Sequence, residues 1–179
     1  MNQQKISKFL SLVLRHRPDK IGMQLEPEGW LPIAELVTHA NRLGIPLTSE
    51  LLLEIVATND KQRFALSDDG LRIRANQGHS VSDVELGLDP IAPPDALFHG
   101  TVARFVESIR QHGLRKGSRN HVHLSADFDT ATKVGSRRGK PIVLTVNAHA
   151  MHLAGHVFYM SANGVWLTEH VPAQYLRFP

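Results

Sequence analysis

The chain contains no cysteine. Disulfides, a thiolate zinc site and a cysteine nucleophile are therefore excluded, and any catalysis falls to other groups. No stretch approaches the roughly 20 apolar residues of a membrane-spanning helix. Met1-Asn2-Gln3-Gln4-Lys5 opens the chain without the apolar segment of a secretory signal. A cytoplasmic location without membrane attachment is the expectation. No Gly-x-Gly-x-x-Gly follows a strand pattern and no Gly-x-x-x-x-Gly-Lys-Ser/Thr occurs, so Rossmann and P-loop phosphate cradles are unsupported. Internal repeats and low-complexity tracts are absent as well. Neither sign of charge dominates, with 20 Lys and Arg against 17 Asp and Glu. The pI near 9.4 and the 11 His make the surface more positive in mild acid, which favours an anionic partner without proving one.

What is present fits a folded α+β protein. The 179 residues are 42% hydrophobic and 21% charged, an ordinary balance for one globular domain or two small ones. Ile6, Phe9, Leu10, Val13 and Leu14 form the apolar stripe of an amphipathic helix that Pro18 ends. In that helix Arg15 lies opposite the stripe and is expected to project away from the core. A second helix runs from Pro32 through Ile33, Leu36, Val37 and Ala40 to Gly44. A third starts at a Thr48 N-cap and buries Leu51, Leu52, Ile55 and Val56, with Leu47 and Leu52 placed for a hydrophobic staple. The period then changes to two. Residues 62–67 and 71–75 alternate across Asp68-Asp69-Gly70, a hairpin signal, with Phe64, Leu66, Leu71 and Ile73 inward and Arg63, Arg72 and Arg74 outward. Three helices and a basic two-stranded ribbon follow the plan of a winged helix. Such a hairpin either meets nucleic acid or is a solvated face of a structural module.

From Asn76 to Asp95 the chain turns polar and then proline-rich, as a connector does. Beyond it come short strands around residues 97–98, 122–124, 142–146, 157–159 and 165–167. One helix carries Phe105, Val106 and Ile109 and stops at Gly113, and another carries Ala131 and Val134 before Gly135. The expected division is a lobe over residues 1–80, a connector over 81–96 and a second lobe over 97–179. Lobes of roughly 80 residues are marginal alone, so they are expected to pack together and leave a cleft.

Two groups of residues carry chemistry. Leu14-Arg15-His16-Arg17-Pro18 ends the first helix as a cationic fork suited to phosphate, although the same residues also complement the negative end of the helix dipole. His99-Gly100-Thr101 and His121-Val122-His123-Leu124-Ser125 have the look of a nucleotide pocket. His121 and His123 share a strand face and are either metal ligands or structural; no carboxylate is marked out to complete a shell.

Further segments complete a pattern: Ser7-Lys8-Phe9-Leu10-Ser11, Asp60-Lys61-Gln62-Arg63-Phe64, Arg74-Ala75-Asn76-Gln77-Gly78-His79-Ser80, Lys133-Val134-Gly135-Ser136-Arg137 and Asn163-Gly164-Val165-Trp166-Leu167-Thr168. With the two groups above, and in this order, they resemble the NAD-dependent RNA 2′-phosphotransferases, the KptA family, from about Ser7 to Phe178. The resemblance implies a winged-helix RNA lobe packed on an ADP-ribosyltransferase-like lobe. It also implies a transferase that uses NAD as co-substrate and needs no metal. An internal RNA 2′-phosphate would attack the nicotinamide-bearing ribose carbon. A ribose hydroxyl would then attack the phosphorus, releasing 2′-hydroxyl RNA and ADP-ribose 1″,2″-cyclic phosphate.

The family's Arg-His-Arg-Arg group maps onto Arg15, His16, Arg63 and Arg137. His99, Gly100, Thr101, His123, Ser125, Asn163, Gly164 and Val165 would line the NAD site. Arg72, Arg74, Gln77 and His79 are candidates for RNA contact or solvated surface. Where relatives read Arg-His-Gly this chain has Arg137-Arg138-Gly139, so Arg138 competes for the role given to Arg137. Val165 stands where many protein-modifying transferases of this type carry Glu; a phosphate acceptor already bears its charge and can dispense with that carboxylate. The implied partner is 2′-phosphorylated RNA, with no obligate protein partner. Two rivals remain: a winged-helix regulator that senses NAD or ADP-ribose without chemistry, and an ADP-ribosyltransferase that caps terminal nucleic-acid phosphates.

Overall fold

A computed structural model describes residues 2–81 and 84–179; Ser82 and Asp83, in the expected connector, lie outside the described residues. The chain divides into two compact units, Met1–Gly87 and Leu88–Pro179. Helices and small antiparallel sheets make up both, an α+β composition. Among the described residues no helix is long and apolar enough to cross a membrane.

The first unit begins with α1 (Gln3–Arg15), whose first turn is capped by the Asn2 side chain accepting from Gln4 N at 2.7 Å. Its stripe Ile6, Leu10, Val13 and Leu14 is buried. A two-residue strand β1 (Leu31–Pro32) leads into α2 (Ile33–Arg42), and α3 (Ser49–Ala57) is capped by Thr48 Oγ1 accepting from Leu51 N at 3.2 Å. The hairpin β2 (Phe64–Leu66) and β3 (Arg72–Ala75) adds β1 on its other side, giving the order β1-β3-β2. Register pairs Leu31 and Leu66 with Ile73, and Phe64 with Ala75, so one face of the sheet enters the core. Leu71 does not follow this alternation. It is 67% exposed, because Asp69 Oδ1 accepts from Leu71 N at 2.9 Å and holds it in the turn, before β3 begins.

The second unit is built on β4 (Ala96–Val102), which runs antiparallel to β7 (Pro141–Asn147) over its whole length. Between them lie α4 (Ala103–His112), β5 (Leu114–Arg115), β6 (Val122–Leu124) and α5 (Phe128–Gly135). After β7 come α6 (Ala148–Leu153), β8 (Phe158–Met160), β9 (Trp166–Thr168), β10 (His170–Val171) and β11 (Leu176–Arg177). One sheet has the order β11-β7-β4, a second β6-β9-β8, and β10 pairs with β5. A bridge joins the first two sheets: Phe98 N donates to Ser125 O at 2.9 Å and Ser125 N to Phe98 O at 2.8 Å.

Alternation along β4 sends Leu97, His99 and Thr101 to one face and Phe98, Gly100 and Val102 to the other. Helix α5 lies on the second face. A Cβ on Gly100 would stand 1.8 Å from the Ala131 carbonyl oxygen and 2.8 Å from Gly135 N, and one on Gly135 3.1 Å from Thr101 O. Strand and helix meet backbone to backbone at this point. A G100A substitution should therefore push α5 off the sheet, costing at least about 1–3 kcal/mol by overpacking. Thermal unfolding should show a Tm lower by several degrees; an unchanged Tm would mean that α5 can shift without penalty.

Candidate functional site

In the first unit Arg15, His16 and Arg63 are all tied to the segment from Asn76 to Ser80. Pro18 has no amide hydrogen, and α1 ends ahead of it with His16 N and Arg17 N both donating to Leu12 O. Arg15 is half-buried rather than projecting freely, with Nε and Nη2 closed to solvent. Its side chain runs beside Gly78, whose notional Cβ lies 3.6 Å from Arg15 Cδ; with φ at 87° Gly78 takes a turn that leaves this room. Ser80 N donates to Arg15 O at 2.9 Å, and Ser80 Oγ is 2.9 Å from His16 Nδ1. Arg63 precedes β2, at the open end of the hairpin and away from its tip. Its carbonyl accepts from Asn76 N at 2.9 Å and its Nη1 donates to Asn59 Oδ1 at 3.3 Å. Arg17 is committed elsewhere, with Nε and Nη2 both donating to Asp19.

The expected RNA contacts fare differently. Arg72 and Arg74 share the outer face of the hairpin, but Arg72 pairs with Glu26 at 3.6 Å and Arg74 with Glu28 at 3.2 Å. Both lie over the Trp30 ring, Arg74 at 4.5 Å, and only 19% of the Arg74 side chain is exposed. Their charge is largely offset locally. Gln77 is half-buried. His79 is 2% exposed, with Nε2 so close to Gly29 that a Cβ there would stand 2.9 Å away. It is a core residue in this structure, and the polar run around it gave no sign that the chain turns inward.

In the second unit the bridge sets His99 beside β6. His99 Nδ1 donates to the His123 carbonyl at 3.1 Å, so the proton of a neutral ring sits on Nδ1 and Nε2 keeps a lone pair. Burial pushes the His99 pKa down against the opposing hydrogen bond to His123, and Arg138 and Arg119 lower it further. Ser125 lies at the bridge with its backbone committed, leaving its hydroxyl for a ligand. Val165 stands one register step beyond the Leu124–Trp166 pair, at the same end of the sheet as Ser125. The Asn163-Gly164 turn before it is closed by Ser161, which accepts from Gly164 N at 2.9 Å, while Ser161 Oγ donates to Asn163 Oδ1 at 2.8 Å. His99, His123, Ser125 and Val165 thus occupy neighbouring positions. Of the other two expected residues on β4, Gly100 gives room for the approach of α5, and Thr101 is buried, 6% exposed, near the end of the strand, paired with Ile142.

Arg119 is the residue that the sequence reading overlooked. Its Nη1 donates to His123 Nδ1 at 3.2 Å. A guanidinium only donates, so His123 Nδ1 carries a lone pair and the proton of the neutral ring is on Nε2. Partial burial depresses the Arg119 pKa, with Arg138 and then Arg137 adding repulsion, yet a guanidinium remains charged. Arg119 thus touches His123, Arg138 acts on both His99 and Arg119, and Arg137 acts on Arg119. The spacing from Arg119 to His123 was available in the sequence, but an arginine in a turn carries no signal without its partner. His121 lies edge-on to Tyr159 at 5.7 Å. Among the described residues no three His, Asp or Glu side chains converge as a metal-ligand set.

The depressed His99 pKa has a sign for stability. Unfolded, the ring binds a proton at its ordinary value of 6.5; folded, it does so only at lower pH. Between those values the unfolded state holds more protons, so stability falls on acidification through that window and is fully present above it. His121 adds in the same direction, chiefly by burial. Urea unfolding of H99Q should show a shallower loss below pH 6.5 than the parent; equal slopes would mean that His99 is not held neutral by the fold.

A family model described as RNA 2′-phosphotransferase, Tpt1 / KptA family, matches residues 1–170. A probable RNA 2′-phosphotransferase of Rhodopirellula baltica is 62% identical over 173 residues, covering 97% of this chain and 94% of the relative. Similar proteins of the same description from Hahella chejuensis and Streptomyces coelicolor are 58% and 56% identical, covering 95% and 98% of this chain and 91% and 94% of their own lengths. With a family match over residues 1–170 and relatives more than half identical over nearly its whole length, the chain belongs to the RNA 2′-phosphotransferase, Tpt1 / KptA family.

Proposed function

We propose that this chain removes an internal 2′-phosphate from RNA and transfers it to NAD. Family membership supports the RNA 2′-phosphate as substrate. The observation that carries the finer reading is the Arg119–His123–His99 chain, in which two neutral imidazoles with opposite tautomers adjoin the Arg119 guanidinium, on which Arg138 and Arg137 also act. That set suits a dinucleotide: His99 Nε2 accepts from a ribose hydroxyl, Ser125 donates, His123 orients Arg119, and the arginines balance a pyrophosphate. When bound, NAD would supply the electrophilic ribose carbon, the nicotinamide leaving group and the hydroxyl that finally takes the phosphate.

The chain's own groups then divide the work. Arg15 and Arg63 hold the transferred phosphate through charge-assisted bonds and orient its oxygens for in-line attack. His16, steadied by Ser80, donates to that phosphate or moves a proton at the leaving RNA 2′-oxygen. Arg119 joins Arg137 as the cation of the second unit and is the better fit, since both residues are exposed but Arg119 is oriented by its hydrogen bond to His123. Val165 supplies no carboxylate, which a phosphate nucleophile does not require. The helix order with a three-stranded sheet supports a winged-helix reading of the first unit. The bridged pair of small sheets is compatible with an ADP-ribosyltransferase-like second unit.

The test is product analysis with NAD and a 2′-phosphorylated oligonucleotide. Nicotinamide release, 2′-hydroxyl RNA and ADP-ribose cyclic phosphate are expected, at a rate that EDTA leaves nearly unchanged because the arginines supply the positive charge. Absence of nicotinamide release would favour the regulator. A stable ADP-ribosylated product would favour the capping enzyme. Among variants, R119Q should slow single-turnover phosphate removal by one to two orders of magnitude, the rate equivalent of about 1.5–3 kcal/mol for a lost charge-assisted bond. R137Q should have a smaller effect; the reverse order would return the role to Arg137.

A further inference from the structure

Arginines in this protein fall into two classes. Arg17, Arg72 and Arg74 are each paired with a carboxylate. Among the described residues no ion pair engages Arg104, Arg137 or Arg138, all of them exposed in the second unit. Two of these converge on one aromatic ring. The Arg104 guanidinium lies 4.8 Å from the centroid of Phe105 and that of Arg138 lies 6.0 Å from it. Phe105, on the first turn of α4, is 36% exposed, so part of its ring is open to solvent between the two guanidinium groups.

We propose that Arg104, Phe105 and Arg138 form a landing for the RNA strand next to the nucleotide that bears the 2′-phosphate, a subsite of the second unit separate from the basic hairpin. The proposal rests on the RNA reading above. A single strand presents a phosphate and a π-face at every nucleotide, and proteins hold it with aromatic rings and guanidinium planes on which bases stack, combined with cations for the backbone. Phe105 and its two guanidinium groups provide both within one short stretch. Arg138 also connects this patch to the site: it closes the turn that follows Gly135, whose backbone packs on Gly100 next to His99, and its charge bears on His99 and Arg119. A strand whose 2′-phosphate is held for transfer has further nucleotides on either side, and Arg138, Phe105 and Arg104 offer one of them a ring and two cations in the second unit. NAD needs only one pyrophosphate, for which Arg119 and Arg137 suffice, and a ribbon whose arginines are already paired has little charge left for phosphates.

The experiment uses the full chain with R104Q and F105A, residues outside the reacting site. Binding of a labelled 2′-hydroxyl RNA of about eight nucleotides is followed by anisotropy over a range of salt. Turnover is followed on a 2′-phosphorylated dinucleotide and on a 2′-phosphorylated strand of about eight nucleotides. F105A should weaken binding of the longer RNA about tenfold. R104Q should weaken it about threefold and reduce the salt slope by about 0.7, one phosphate contact to a single strand. The dinucleotide should react as with the parent, so that the advantage of the longer substrate shrinks. Parent-like binding and salt slope in both variants would overturn the proposal, as would a raised KM for NAD at unchanged RNA affinity. Failure of the parent to remove any 2′-phosphate would sink the functional reading instead, and the anisotropy arm would still decide this one.

Discussion

At Gly100 and Gly135 strand β4 and helix α5 touch through their backbones, an approach that leaves no volume for a side chain on the strand. Everything distinctive in the second unit follows from how close that contact is. Because α5 ends at Gly135 and the chain turns at once through Ser136–Arg138, the helix position sets where two guanidinium groups stand relative to β4. His99 is on that strand, facing away from α5, and the Phe98–Ser125 bridge draws β6 alongside it. The histidines, the arginines and the turn at Val165 are thus held by backbone hydrogen bonds and one close packing contact. Rigid elements of this kind keep a binding constellation within the small tolerances that recognition requires.

The first unit solves the same problem with a loop. Residues 76–80 carry no regular structure, yet they hydrogen-bond to Arg63 at one end and to Arg15 and His16 at the other. Helix α1 and the hairpin are far apart in sequence, and this short segment gives Arg15, His16 and Arg63 a common support. Its buried ends, Asn76 and His79, explain why so polar a stretch is ordered: the polar groups serve as anchors within the unit instead of contacting solvent. Asn76 Nδ2, for example, donates to Gln62 O, tying the loop to the base of β2.

The legible part of the sequence was the part governed by short-range periodicity. Helices α1 to α3, their Thr48 cap, the hairpin and the main strands of the second unit follow from apolar spacing and turn residues. Leu71 departed from the alternation because an aspartate in the turn captured its amide before the strand began. Strands of two residues such as β5 and β10 have no period to read, and α6, at six residues, is too short to display one. Among site residues, Arg15, His16, His99 and His123 stood out by motif. Arg119 did not, since its meaning lies in a hydrogen bond to a ring four residues on, and neither did the carboxylates that offset Arg72 and Arg74. Residue type alone carries little information about charge that remains available.

That distinction bears on where RNA is held. Binding to a phosphate chain draws its strength from cations not already neutralised, and each arginine paired with a carboxylate must break that pair to take part. The hairpin alternates arginine with apolar residues, and its Arg72 and Arg74 pair with Glu26 and Glu28 and lie over the Trp30 ring. Such an arrangement stiffens the ribbon and fixes the outer face of a sheet whose inner face is core. In the second unit Arg138 and Arg137 both repel Arg119 instead, and no carboxylate among the described residues forms an ion pair with any of the three. Positive charge that is not paired with a carboxylate favours a ligand that brings negative charge.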